Sequence, residues 1–190
     1  MDEETRKLVD SALNTASLYE ASHFAEGQSM AMWEFPSGAP RLLADVFKAV
    51  EGAHVKKLVI RDPYCGVAHH RPKLQTLLEH FKKSTSAIEK AEVYCSEVKQ
   101  RERDGSEYME HRFAVAQAVE KIMDELGIEK NEAFVKELGR NRTFHDRELT
   151  LEVTDATGCD STHRYFLTGG IDYLLDERSD TKVFHAVLDN

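Results

Sequence analysis

Three residues in one short stretch could do chemistry at phosphorus. His145, Arg147 and Glu152 stand as H-x-R-x4-E in a segment that runs into a β-forming sequence. An imidazole attacks phosphorus or donates a proton, and a guanidinium clamps two phosphate oxygens at once. A carboxylate further along completes the set. Arg140 and Arg142 lie just ahead, so residues 139–147 carry three arginines against the single acid Asp146. The chain as a whole has a net charge of −9. An anionic ligand would therefore be met by this focused cluster and not by the general surface.

A second candidate is Asp62-Pro63-Tyr64, which ends a continuous apolar run and is followed by His69, His70, Arg71 and Lys73. In open α/β sheets ligands gather at the carboxyl ends of parallel strands, which places Asp62 and Tyr64 near a site. The same residues would serve equally to start a turn. Cys65-x3-His69 and Cys159-x3-His163 supply four metal-ligand types, but the spacing is loose and the halves are far apart in sequence. Isolated reduced thiols account better for three cysteines, and no metal or cofactor is expected. The chain has no P-loop, G-x-S-x-G or C-x-x-C motif, so the common nucleotide, hydrolase and redox readings lack support.

The elements that must hold these residues follow from periodicity. Residues 2–25 repeat apolar positions at helical spacing, and 27–40, with Gly, Ser and two prolines, reads as a loop in which Trp33 plugs the core. Helices are predicted over 41–50, 71–83 and 106–126, the second with Leu74, Leu77, Leu78 and Phe81 on one face. Strands are predicted at 57–60, 91–95 and 132–138, with the charged run 97–107 as a solvated connection. Strand alternating with helix implies right-handed crossovers and a parallel βαβαβ start. Beyond residue 147 the pattern changes to hairpins: strands at 147–154, 163–167 and 182–188, with turn chemistry at Asp155-Ala156-Thr157-Gly158 and a break at Gly169-Gly170. The expected fold is α/β, a mixed β-sheet flanked by helices, over residues 41–190, with 1–40 as an appended helix and loop.

At 190 residues, 41% hydrophobic and 31% charged, the composition is that of an ordinary globular chain. No apolar run approaches the roughly 18–20 residues of a membrane span, and the acidic start has no leader-like apolar region. A cytoplasmic protein is expected.

The spacing of His145, Arg147 and Glu152 resembles the H-x-K-x4-D motif of the phospholipase D superfamily. Gly169-Gly170-Ile171-Asp172 stands where that superfamily has G-S-x-N. Arginine replaces lysine and glutamate replaces aspartate, and the planar guanidinium is not a conservative substitute at a tight site. A closer likeness lies in motif order: Asp62-Pro63-Tyr64, then His145-Asp146-Arg147-Glu148, then Gly170-Ile171-Asp172-Tyr173, then Val183-Phe184-His185. Over roughly residues 40–190 this order resembles the phospholipase-D-like C-terminal domain of MIT (microtubule-interacting and trafficking) domain proteins. The resemblance implies a degenerate site that binds anionic phospholipid head groups, and a homodimer. The three-helix MIT module itself is missing, since residues 1–25 offer one helix.

Three functions are expected in order. The first is a non-catalytic module binding a phospholipid or nucleic-acid phosphate through Asp62, Tyr64, Arg140, Arg142, His145, Arg147, Gly170 and Asp172. The second is a homodimeric phosphodiesterase using His145, Arg147 and Glu152. The third is a protein–protein adaptor on the same scaffold.

Overall fold

A computed structural model describes residues 30–96, 99–101, 107–109, 112–128, 132–136 and 147–189. The predicted helix at 2–25 and the residues Arg140, Arg142, His145 and Asp146 lie outside them. In chain order the elements are β1 (Met30–Phe35), α1 (Leu43–Val46), a 3-10 turn (Lys48–Val50), β2 (His54–Arg61), α2 (Arg71–Ser84), β3 (Ala87–Ile88) and β4 (Ala91–Ser96). There follow β5 (Lys99–Arg101), β6 (Glu107–Met109), α3 (Arg112–Glu125), β7 (Glu132–Lys136), β8 (Glu148–Thr154), β9 (Asp160–Leu167), α4 (Ile171–Leu174) and β10 (Thr181–Asp189).

The main sheet has the order β1-β10-β9-β8-β2-β4-β7, with β3 pairing beside β2; β5 and β6 form a separate two-stranded sheet. β2, β4 and β7 are parallel, whereas β2 pairs antiparallel with β8, and β8, β9, β10 and β1 continue antiparallel. The expected mixed α/β sheet is therefore present, with its parallel and antiparallel halves meeting at β2. No helix among the described residues is long and apolar enough to cross a membrane.

One face of the sheet makes the core. Leu58 and Ile60, Val93 and Cys95, Leu149 and Leu151, and Tyr165 pack with Leu74, Leu77, Leu78 and Phe81 of α2 and Val115, Val119, Ile122 and Met123 of α3. These helical residues recur at three- and four-residue spacing, which gives each helix one apolar stripe. The alternate strand residues face away from the helices and carry charge. Glu148 is held by Arg164 at 2.6 Å, by Arg61 at 3.7 Å and by the Thr150 hydroxyl at 2.7 Å. Glu92 is held by Lys90 at 2.7 Å and Lys57 at 3.1 Å. Such pairing is what makes a buried carboxylate tolerable.

Three expectations need correction. Residues 30–35 are a strand and not a loop: Met-Ala-Met-Trp-Glu-Phe alternates, and β10 offers it an edge, with Trp33 opposite Val183. Trp33 still packs on the core, now from a strand. The helix over 41–50 is only α1 and a 3-10 turn. The charged connection at 97–107 contains strand β5 and the start of β6, which pair with each other, so the helix predicted from 106 is α3 from Arg112, with 107–109 in a strand.

A polar pair is sealed in the core between β9 and β10. His163 Nδ1 lies 2.9 Å from His185 Nε2, Ser161 Oγ lies 3.1 Å from His163 Nε2, and the Tyr165 ring stacks on His185 at 4.3 Å. Burial and the neighbouring His163 hold the His185 imidazole down at about 4, and burial lowers His163 as well. Both are neutral in the folded protein near pH 7, while in the unfolded chain they take up protons below about pH 6.5. Protonation therefore favours unfolding: stability is complete above about pH 6.5 and falls as pH drops toward 4. We expect urea denaturation to give a protein about 1–3 kcal/mol less stable at pH ~5 than at pH ~7.

Candidate functional site

The carboxyl end of β2 lies beside the start of β8. Ile60 and Leu58 point into the core, so alternation sends Asp62 to the same side just past the end of β2. Arg147, directly before β8, continues the inward row of Leu149 and Leu151 in the same way. Register pairs Arg61 with Glu148, so Asp62 and Arg147 flank one edge of the sheet.

Asp62 is 1% exposed and fully used by the backbone. Its Oδ1 accepts from the Tyr64 N–H at 2.8 Å, and its Oδ2 accepts from the Ile171 N–H at 2.8 Å. The second bond ties the end of β2 to the first residue of α4, from 109 positions away in the chain. Burial pushes the Asp62 carboxyl above its ordinary value, against the pull of these two donors and of Arg147. Gly170 precedes α4 at φ +88°, and a Cβ there would sit 2.8 Å from Asp62 Oδ2 and 3.1 Å from Asp172 Oδ1. A side chain would meet both carboxylates in a conformation that only glycine adopts easily. Asp62 and Gly170 thus build the turn that presents Asp172.

The loop after β2 winds through Tyr64 and Val67 to His70. Arg71 Nε donates to the Gly66 carbonyl at 2.7 Å, and Gly66 lies so close to β4 and α3 that a Cβ would meet Cys95 Sγ at 2.8 Å and Val115 Cγ1 at 2.7 Å. This places His70 at the N-terminus of α2, beside α4. His70 Nδ1 is 3.6 Å from Asp172 Oδ2, and the His69 ring packs on His70 at 4.1 Å. Lys73, one turn along α2, donates to the Asp172 carbonyl at 3.0 Å and approaches Asp176 Oδ2 at 3.5 Å. Burial lowers the His70 imidazole from its ordinary value; the Asp172 charge works against this, and His69 and Lys73 work with it.

Arg147 has few partners. Its guanidinium donates through one terminal nitrogen to the Thr168 carbonyl at 2.9 Å and stands 5.9 Å over the exposed Tyr64 ring. Its Nε is buried without a hydrogen-bond partner, and no ion pair to it is found among the described residues. Glu152 does not join this group. It stands five residues along β8, roughly 16 Å by strand rise, on the alternate face, where register sets it against Lys57 and Thr162. The two Cys-x3-His pairs also stay apart: Cys65 is buried with a hydrogen bond to Cys95, Cys159 is exposed, and His163 is committed to His185.

The structure thus brings together Asp62, Tyr64, Arg147, Gly170 and Asp172, and adds His70, Lys73 and the Thr168 carbonyl. His70 and Lys73 carry a sequence signal, their position after Asp62-Pro63-Tyr64. A main-chain carbonyl such as that of Thr168 carries none.

Among solved structures the chain is similar to yeast tyrosyl-DNA phosphodiesterase, with a TM-score of 0.46, 9% identity, and coverage of 85% of this chain and 33% of that one. A histidine-to-asparagine mutant of the same yeast enzyme gives 0.47, 11%, 85% and 33%. The chain spans about a third of the length of these proteins. The likeness is one of architecture, and no residue role is carried across on it. No protein-family model matches the chain, and no curated protein matches it.

Two substitutions test the turn. Asp62→Asn places an amide NH2 against one of two backbone donors and should cost about 1–3 kcal/mol of unfolding free energy. Gly170→Ala should be destabilising by at least about 1 kcal/mol, because it combines a positive φ with a close contact. In both variants the Ile171 amide resonance should move most in a proton–nitrogen NMR spectrum.

Proposed function

We propose that this chain is a non-catalytic, phospholipase-D-like binding module that takes a phosphate-bearing ligand at the edge where β2 ends and β8 begins. The observation that carries the reading is Arg147. Among the described residues its guanidinium has a buried orphan Nε, one carbonyl partner and no ion pair, feels the buried Asp62 carboxylate without bonding to it, and stands above an exposed aromatic ring. A tetrahedral oxyanion supplies what it lacks, through charge-assisted and bidentate hydrogen bonds. Arg140, Arg142 and His145 precede it in sequence.

The order of Asp62-Pro63-Tyr64, His145-Asp146-Arg147-Glu148 and Gly170-Ile171-Asp172-Tyr173 favours the MIT C-terminal branch within this reading, and with it a homodimer. Binding without cleavage is favoured because arginine stands where the hydrolytic motif has lysine, and because Glu152 is far from Arg147 on the other face of β8. The ligand source is a phospholipid head group or a nucleic-acid phosphate.

Titration with vesicles containing an anionic phospholipid, and separately with a short single-stranded oligonucleotide, separates the two sources. Arg147→Ala should weaken whichever binding the parent shows by about 10–100-fold, the range for a charge-assisted contact. Binding that is unchanged in Arg147→Ala, for every anion the parent takes, would rule out this site.

A further inference from the structure

His70 is an imidazole faced by a carboxylate. Its Nδ1 is buried without a hydrogen bond and stands 3.6 Å from Asp172 Oδ2, the side chain keeps 20% of its surface exposed, and no hydrogen bond to its Nε2 is found among the described residues. A carboxylate facing one ring nitrogen favours the imidazolium electrostatically and leaves the other nitrogen for a ligand. Asp172 is itself fixed: Gly170 allows the turn, Asp62 captures the Ile171 N–H, and Lys73 holds the Asp172 carbonyl.

We propose that His70, positioned by Asp172, is the proton-carrying contact of the anion site, and that a ligand oxyanion binds its Nε2 with uptake of one proton. The proposal rests on the anion reading above and deepens it by adding regulation by pH. Among the described residues four charged or titratable groups act on the imidazole. Asp172 on α4 and Asp62 at the end of β2 favour the charged ring; His69 in the loop and Lys73 on α2 oppose it. Arg147 acts on Asp62 from the other side. In the free protein burial outweighs the two carboxylates, so the ring is neutral near pH 7. An oxyanion at Nε2 adds a third negative group and reverses that balance. The ligand and the proton therefore bind together.

The chemistry recognised is a tetrahedral oxyanion, and sulfate is the suitable probe because it does not titrate near neutral pH. For the full chain, affinity for sulfate measured by NMR titration should rise about tenfold between pH ~8 and pH ~6. In His70→Gln the affinity should change less than about twofold over the same range, and in Asp172→Asn the rise should move to lower pH. On the parent, nitrogen-15 shifts of the His70 ring should pass from neutral to imidazolium as sulfate is added at constant pH. This measurement decides the matter even if a variant fails to fold. A pH dependence that persists in His70→Gln, or a His70 ring that stays neutral in the sulfate complex, overturns the proposal while the anion site stands on its loss in Arg147→Ala. An absence of oxyanion binding at every pH overturns both.

The same vesicle and oligonucleotide titrations, repeated at pH ~6 and pH ~8, distinguish the sources of that oxyanion. The proton-linked gain should accompany whichever one binds and should vanish in His70→Gln.

Discussion

The Asp62 carboxylate is the tie on which the candidate site depends. One oxygen closes the turn at Tyr64 and the other takes the Ile171 N–H, so a single buried side chain joins the end of the central strand to the segment before the last one. An unpartnered buried carboxylate costs several kcal/mol, which makes this position demanding: both donors must be present or the charge cannot stay. Gly170 fits the same constraint, because the space a Cβ needs is occupied by Asp62 and Asp172. With the tie in place, Asp172 reaches His70 and the backbone at Thr168 reaches Arg147.

The location of this edge follows from sheet topology. β2 has a parallel neighbour on one side and an antiparallel neighbour on the other, so the C-terminal end of β2 lies beside the N-terminal end of β8. Residues just outside two oppositely directed strands are thereby gathered at one rim. That is how Asp62 and Arg147, far apart in the chain, flank a common space. On the sheet's other face the buried carboxylates of Glu148 and Glu92 each hold two cations, whereas Arg147 has no ion pair among the described residues.

Charge at the site is arranged in depth. The Asp62 carboxylate is committed to backbone donors and the Asp172 carboxylate faces His70, while Arg147 has no ion pair among the described residues.

The sequence by itself determined most of the central element types and the mixed character of the sheet, because hydrophobic periods of two and of three to four residues are local properties. It also singled out Asp62-Pro63-Tyr64, Arg147 and Gly170-Ile171-Asp172, since unusual polar residues beside apolar strands are visible without a fold. Only tertiary structure decided that Trp33 lies in a strand, because a short edge strand is stabilised by the partner it meets and not by its own propensity. It also set Glu152 apart: H-x-R-x4-E reads as one motif, yet an odd spacing along a strand puts Arg147 and Glu152 on opposite faces. Likewise, nothing local pairs His70 with Asp172 or His163 with His185. Those contacts arise where separate elements are brought together by burial of their apolar faces, and a linear pattern holds no record of that meeting.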